Sequence, residues 1–95
     1  MKYEFIDDKN TMVITTKNIV SKEKSIMLVS HDEDDGMWEF LEGEEVKEED
    51  AMIISLYEMV SIDPTVNQIA DLPLGYIAYR NSGHEDWVKQ EKLYS

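Results

Sequence analysis

The residues from His31 to Glu42 are the part of the chain whose types and spacing best match a cation site. Glu33, Asp35 and Glu42 stand at the third, fifth and twelfth ligand positions of a calcium-binding loop, and Gly36 stands at its turn. Histidine at the first position is a poor ligand for a hard cation, and the apolar flanks predict strands where an EF-hand has helices. We therefore favour a solvated acidic turn and expect no bound metal.

Catalytic chemistry has little support in the remaining side chains. His31 and His84 are the only histidines, and the chain has no cysteine. Ser55 and Ser61 fall in a segment with helical periodicity, without the strand-turn-helix context of a nucleophile elbow. No glycine-rich phosphate loop is present. We expect a protein that is not an enzyme and uses no cofactor.

The acidic residues are concentrated in one segment. Residues 31–50 contain eleven acidic residues and one lysine, a net charge of −10 within a total of −12 for the chain. Such a field repels nucleic-acid phosphate and anionic lipid, and it attracts basic proteins. The segment is either a solvated face or a docking surface for a cationic protein partner. The candidate partner-binding residues are Asp32, Glu33, Asp34, Asp35, Glu44, Glu45, Glu48 and Glu49.

Length and composition indicate a single domain over residues 1–95. A chain of 95 residues buries somewhat over ~60% of its unfolded surface, which is enough for one core. The absence of cysteine excludes disulfides, and no apolar run approaches a membrane span. The first residues carry early acids and no hydrophobic signal core, so we expect a cytoplasmic protein.

A β-hairpin is predicted around the acidic turn. The arms are 26–30 and 37–43, both rich in β-branched, aromatic and long apolar residues. Because side chains alternate along a strand, Trp38 and Phe40 share one face. We expect this face to be interior; a half-exposed Trp38 at a binding surface is the alternative.

The other patterns complete an α+β prediction. Short strands are predicted within 1–10, over 11–21 as one kinked strand or two short ones, and over 74–80. Ile53, Leu56, Tyr57 and Val60 have the spacing of an amphipathic helix over 51–61, and Asp63 and Pro64 predict the start of a second helix. The structure of residues 84–95 is left open. We expect an antiparallel sheet of about four to five strands with two helices packed on one face.

Arg80, the only arginine, is predicted to hold the last strand to the rest of the fold. A guanidinium group binds a carboxylate through two parallel hydrogen bonds, so one of the many acidic residues is the expected partner. A role in ligand binding is the alternative.

Five parts of the chain form a recognisable pattern: 19–22, 36–44, 62–64, 71–75 and Arg80. The pattern is a W-x-F followed by Gly and acids, then D-x-P-x-G with an Arg after it. On this pattern the chain resembles, from Ile19 to Arg80, a family of small bacterial proteins, first described as a domain of unknown function and later grouped as the thirty-third immunity family of polymorphic toxin systems. The segment between Glu45 and Ala51 departs from the pattern, because it is shorter and lacks an aromatic residue.

The resemblance implies an α+β fold and a non-catalytic role, in which the protein neutralises a toxin by binding it directly. A basic toxin domain would then be the protein partner, and the chain itself would be a monomer or a homodimer. The alternative is a bacterial housekeeping or regulatory domain without a toxin partner, homodimeric through an exposed strand edge.

Overall fold

A computed structural model describes residues 2–43 and 45–92 of the chain and shows an α+β fold. In this part of the chain, short 3₁₀ segments span Glu48–Asp50 and Pro64–Ile69. The helices are α1 (Lys17–Val20) and α2 (Leu56–Ile62). The strands are β1 (Met12–Thr16), β2 (Leu28–His31), β3 (Trp38–Leu41), β4 (Ala51–Ser55), β5 (Tyr76–Tyr79) and β6 (Val88–Glu91).

The strands form one mixed sheet in the order β4-β1-β3-β2-β5-β6. β1 and β3 are parallel, with Ile14 beside Glu39, and the other neighbouring pairs are antiparallel. The α+β class is confirmed, but the expected antiparallel sheet of about four to five strands is wrong in detail. One pairing is parallel, and β4 and β6 add an edge strand on each side.

The hydrophobic core lies between the sheet and the helical segments. Trp38 and Phe40 are 1% and 0% exposed, which confirms that their face of β3 is interior. Phe5 packs edge-on against Trp38, with ring centroids 5.1 Å apart. The other apolar core residues are Val13, Ile19, Ile26, Val29, Ile54, Leu56, Met59, Val60, Val66, Ile69, Leu72 and Ala78.

Strand β4 occupies the first half of the segment predicted as the first amphipathic helix. Helix α2 begins only at Leu56, because the Ser55 side chain accepts a hydrogen bond from the Glu58 amide and caps the helix there. The predicted apolar stripe therefore spans two elements. Leu56 is buried in the core, whereas Ile53 on β4 and Tyr57 on α2 are 65% and 43% exposed.

Two further strand predictions are corrected near the N-terminus. Residues 2–10 form no strand, and Phe5 fixes this segment by its contact with the core. The predicted strand over 11–21 ends at Thr16, where its Oγ1 accepts a hydrogen bond from the Ile19 amide at 3.3 Å and caps α1. A local bond from the threonine side chain outweighs the preference of β-branched residues for strands.

Arg80 connects three parts of the chain beneath the sheet. Arg80 is 5% exposed, and its guanidinium donates to the Ile26 carbonyl at 2.9 Å, to Thr65 Oγ1 at 3.0 Å and to Asp63 Oδ2 at 2.9 Å. It also stacks on Trp87, 4.0 Å from the ring centroid. Asp63 is the carboxylate partner that the sequence left unnamed, although it receives one hydrogen bond and not two. Asp63 also caps the 3₁₀ segment by accepting from the Thr65 amide, as predicted.

Replacing Arg80 by lysine is expected to destabilise the fold by about 2–4 kcal/mol, because an ammonium group cannot reach all three acceptors and leaves buried polar atoms unpaired. Urea unfolding followed by far-UV circular dichroism measures the loss. Lys89→Ala is the control, since it removes the exposed Lys89–Asp71 ion pair and should cost less than about 1 kcal/mol. Equal losses for the two variants would contradict a central role for Arg80.

Candidate functional site

The acidic turn between β2 and β3 is built by short-range hydrogen bonds. The Asp32 amide donates to the Met37 carbonyl at 2.8 Å, and the Gly36 amide donates to the Asp32 carbonyl at 2.9 Å. Gly36 has φ +74°, a conformation that favours glycine. Asp35 accepts from the Met37 amide at 3.0 Å. This turn leaves the side chains at positions 33–35 exposed to solvent.

The predicted partner-binding residues form two groups at opposite ends of the sheet. Asp32 to Asp35 lie at the hairpin turn, and Glu45, Glu48 and Glu49 lie beyond the other end of β3 in the connection to β4. Strand β3 lies between the two groups, and its four residues span roughly 13 Å at ~3.3 Å per residue. All of these side chains are exposed except that of Asp32, which is half-buried. Glu44 lies outside the described residues.

The calcium-loop alternative does not match the geometry. His31 stacks on Trp38 with ring centroids 3.8 Å apart, and its Nδ1–H donates to the Leu72 carbonyl at 2.7 Å. Glu42 accepts a hydrogen bond from the Thr16 hydroxyl, and strand β3 occupies the second half of the supposed loop. Within residues 2–43 and 45–92, no three His, Asp or Glu side chains converge as metal ligands.

The second surface of the sheet is a feature that the sequence analysis missed. The helical segments place their buried side chains in the core on one side, so alternation turns the other residues of each strand away from them. We call this second surface the open face. Its apolar members are Met12, Ile14, Leu28, Leu41, Ile53, Ile77, Tyr79 and Val88.

The open face is apolar where an uncovered sheet surface is usually polar. Met12, Ile53 and Val88 are 50%, 65% and 48% exposed, and the members on the central strands are half-buried beside their neighbours. The signal for this face was present in the sequence, because 12–14 and 76–79 have apolar residues at consecutive positions instead of alternating with polar ones. Such runs indicate strands that are apolar on both faces.

A carboxyl group lies in the middle of the open face. Glu39 lies in one row across the sheet with Ile14 and Ser30 as its direct neighbours. A hydrogen bond with Asp32, partial burial and repulsion from the Asp32 charge together raise the pKa of Glu39 to about 7. Attraction to Lys92 opposes this shift. Glu39 therefore holds a proton close to neutral pH, which a carboxyl in water does not.

Asp32 is the ionised member of this pair. Partial burial acts to raise the pKa of Asp32, but hydrogen bonds from Glu39 and Ser30 outweigh it and hold that pKa below its usual value. The Ser30 hydroxyl donates to Asp32 Oδ1 at 2.7 Å. The charges of Lys92 and His31 act in the same direction. The arrangement is a carboxyl–carboxylate pair that shares one proton, with Glu39 on the open face and Asp32 at the hairpin turn.

Comparison with models of protein families, with curated proteins and with solved structures gives no match. None of the helices in the part of the chain that the structure describes has the length and apolar character needed to cross a bilayer.

Replacing Glu39 by glutamine tests the shared proton. A raised pKa means that the folded chain binds this proton more tightly than the unfolded chain, whose carboxyl titrates near 4.5. The stability of the natural chain should therefore decline between about pH 4.5 and 7, whereas glutamine donates to Asp32 at every pH. We expect Glu39→Gln to match the natural chain at pH 5 and to exceed it at pH 8 by on the order of 1 kcal/mol, allowing for solvent screening.

Urea unfolding at the two pH values measures this difference. Asp34→Asn is the control, because it removes an exposed carboxylate of the same turn without touching the pair. A stability difference for Glu39→Gln that does not change with pH would contradict the shared proton.

Proposed function

We propose that this chain is a non-catalytic, cytoplasmic protein-binding protein of the immunity type, which neutralises a toxin by covering part of its surface. The observation that carries the proposal is the exposure of the acidic side chains at both ends of the sheet. The chain has a net charge of −12, and within residues 2–43 and 45–92 the ion pairs involve Glu4, Asp63 and Asp71 and none of these exposed carboxylates. The resemblance to immunity proteins adds the class of partner.

Two side chains that could act in catalysis, those of His31 and Ser55, have structural contacts, which supports a binding role. His31 is held between Trp38 and the Leu72 carbonyl. Ser55 caps α2 by accepting from the Glu58 amide. These contacts stabilise the fold. The exposed carboxylates are then the main charged groups that the surface offers to a partner.

The acidic groups would act mainly on the rate of encounter. Exposed carboxylates draw a basic protein into contact through long-range attraction, which salt screens over about 10 Å at 0.1 M. A toxin that acts on nucleic acid has a basic groove of its own, and an acidic protein competes for that groove. The two groups of acids would then orient the partner along the length of the sheet.

Charge reversal at each end of the sheet tests this role. Changing Glu45, Glu48 and Glu49 to lysine moves the net charge from −12 to −6. The immunity role predicts a toxin gene adjacent to the gene for this chain. We expect association with the protein encoded by that adjacent gene to slow by about tenfold at low salt, with a smaller effect as salt rises. Stopped-flow fluorescence at several salt concentrations measures the rate.

Two further triple variants locate the effect. Glu33, Asp34 and Asp35 changed to lysine test the hairpin end with the same change in net charge. Glu4, Glu23 and Glu58 changed to lysine are the control, because they lie outside both acidic groups. Association that slows equally in all three variants, or that is unaffected by salt, would contradict a localised acidic docking surface.

Growth of a bacterial host tests the immunity role itself. Expression of the adjacent gene alone should stop growth, and co-expression of this chain should restore it. A purified complex should contain both proteins at unchanged mass, since neutralisation by binding modifies neither. Continued growth without this chain, or a change in the partner's mass, would contradict the proposal.

A second candidate, a homodimeric regulatory domain, has one observation in its favour. Strand β4 lies at the edge of the sheet, and its sequence Ala51–Ser55 carries no charge and no proline. Such an edge has backbone groups available for pairing with another strand. Analytical ultracentrifugation of the free chain tests this candidate, because it requires a dimer, whereas the immunity role allows a monomer or a homodimer. A monomeric free chain would contradict it.

A further inference from the structure

The open face has the size and composition of the centre of a protein interface. Six strands spaced by ~4.8 Å span about 24 Å, and strands of this length run about 15 Å, so the flat area is roughly 360 Å². A typical interface buries ~800 Å² on each partner, with an apolar centre and a polar border. The open face supplies such a centre, and the acidic groups at both ends of β3 supply two sides of the border.

We infer that the open face docks a protein whose contact patch is apolar at its centre and carries lysine or arginine at its border. This inference rests on the proposed function and assigns it a surface. The acidic groups bring the partner into contact, and the apolar side chains between them hold it. In this arrangement the carboxylates set the rate of association, whereas the open face sets the lifetime of the complex.

Charge favours a basic partner over a second copy of this chain. Two copies placed face to face would bring two chains of net charge −12 together, with their acidic borders opposed. Like charges across an interface oppose association. A partner with basic residues at its border reverses the sign of each of these contacts.

Glu39 gives the open face one specific anchor for such a partner. On the side of β1 and β4 its neighbours in the sheet are apolar, because Ile14 lies beside Glu39 and Ile53 lies beside Ile14. Asp32 faces it from the hairpin turn, and Lys92 lies near enough to act on both carboxyls. A lysine or arginine of the partner that reaches this point would replace the proton that the two carboxyls share.

Substitution by glutamate separates apolar docking from charge attraction. Ile53→Glu and Val88→Glu each add an acid to an exposed position of the open face. If charge alone bound the basic partner, these variants would bind as well or better. We expect instead that the complex with the adjacent-gene protein dissociates at least tenfold faster. Ile6→Glu is the matched control, because Ile6 is 98% exposed and lies outside the sheet, and it should leave dissociation unchanged.

Glu39→Gln provides the second measurement, at pH 8. It removes the charge at the anchor, keeps the shape of the side chain and is expected to weaken binding about tenfold. Circular dichroism verifies that each variant folds, and surface plasmon resonance gives the rates.

The outcomes distinguish this inference from the proposed function. If the natural chain binds the adjacent-gene protein and the open-face variants dissociate at its rate, the inference is wrong while the binding role stands. Unchanged affinity for Glu39→Gln overturns the anchor. If the natural chain does not bind that protein at all, the proposed function is wrong, and the inference that rests on it is wrong as well. A free dimer that Ile53→Glu and Val88→Glu convert to monomer would assign the open face to a second copy and overturn the inference.

Discussion

The placement of α1, α2 and the 3₁₀ segment Pro64–Ile69 on one side of the sheet is the constraint on which the other properties of this fold depend. Because side chains alternate along each strand, a single helical layer can cover only half of them. The covered half forms a closely packed core around Trp38 and Phe40. The uncovered half remains available to solvent or to a partner, and its apolar character is what distinguishes this sheet from one that is simply solvated on its outer surface.

The buried Arg80 secures that one-sided arrangement. Its guanidinium joins the chain before β2, through the Ile26 carbonyl, to Asp63 and Thr65 at the junction between α2 and the following 3₁₀ segment. The same group supports Trp87 just before the edge strand β6. The guanidinium of Arg80 thus holds together the helical layer, the central strands and one edge of the sheet. This role accounts for the burial of the single arginine.

Local patterns in the sequence predicted the parts of the fold that local forces determine. The hairpin around the acidic turn, the common face of Trp38 and Phe40 and the cap at Asp63 each depend on residues close together in the chain. Strand β4 was missed because Ile53 and Leu56 also fit a helical period, and only pairing with β1 and the Ser55 cap decide between them. The division of the acids into two groups depends on the path of β3, and the open face depends on which side the helices pack. Neither is encoded in any single segment.

The bare apolar sheet has a consequence for how copies of this chain behave in a concentrated solution. The exposed Ile53 and the uncharged edge strand β4 favour aggregation. Electrostatic repulsion between the strongly negative molecules is the main force that opposes it. The isoelectric point near 4.3 marks the acidity at which this repulsion vanishes. The carboxylates therefore also provide colloidal stability, independent of any partner. A variant that lacks many of them is expected to aggregate.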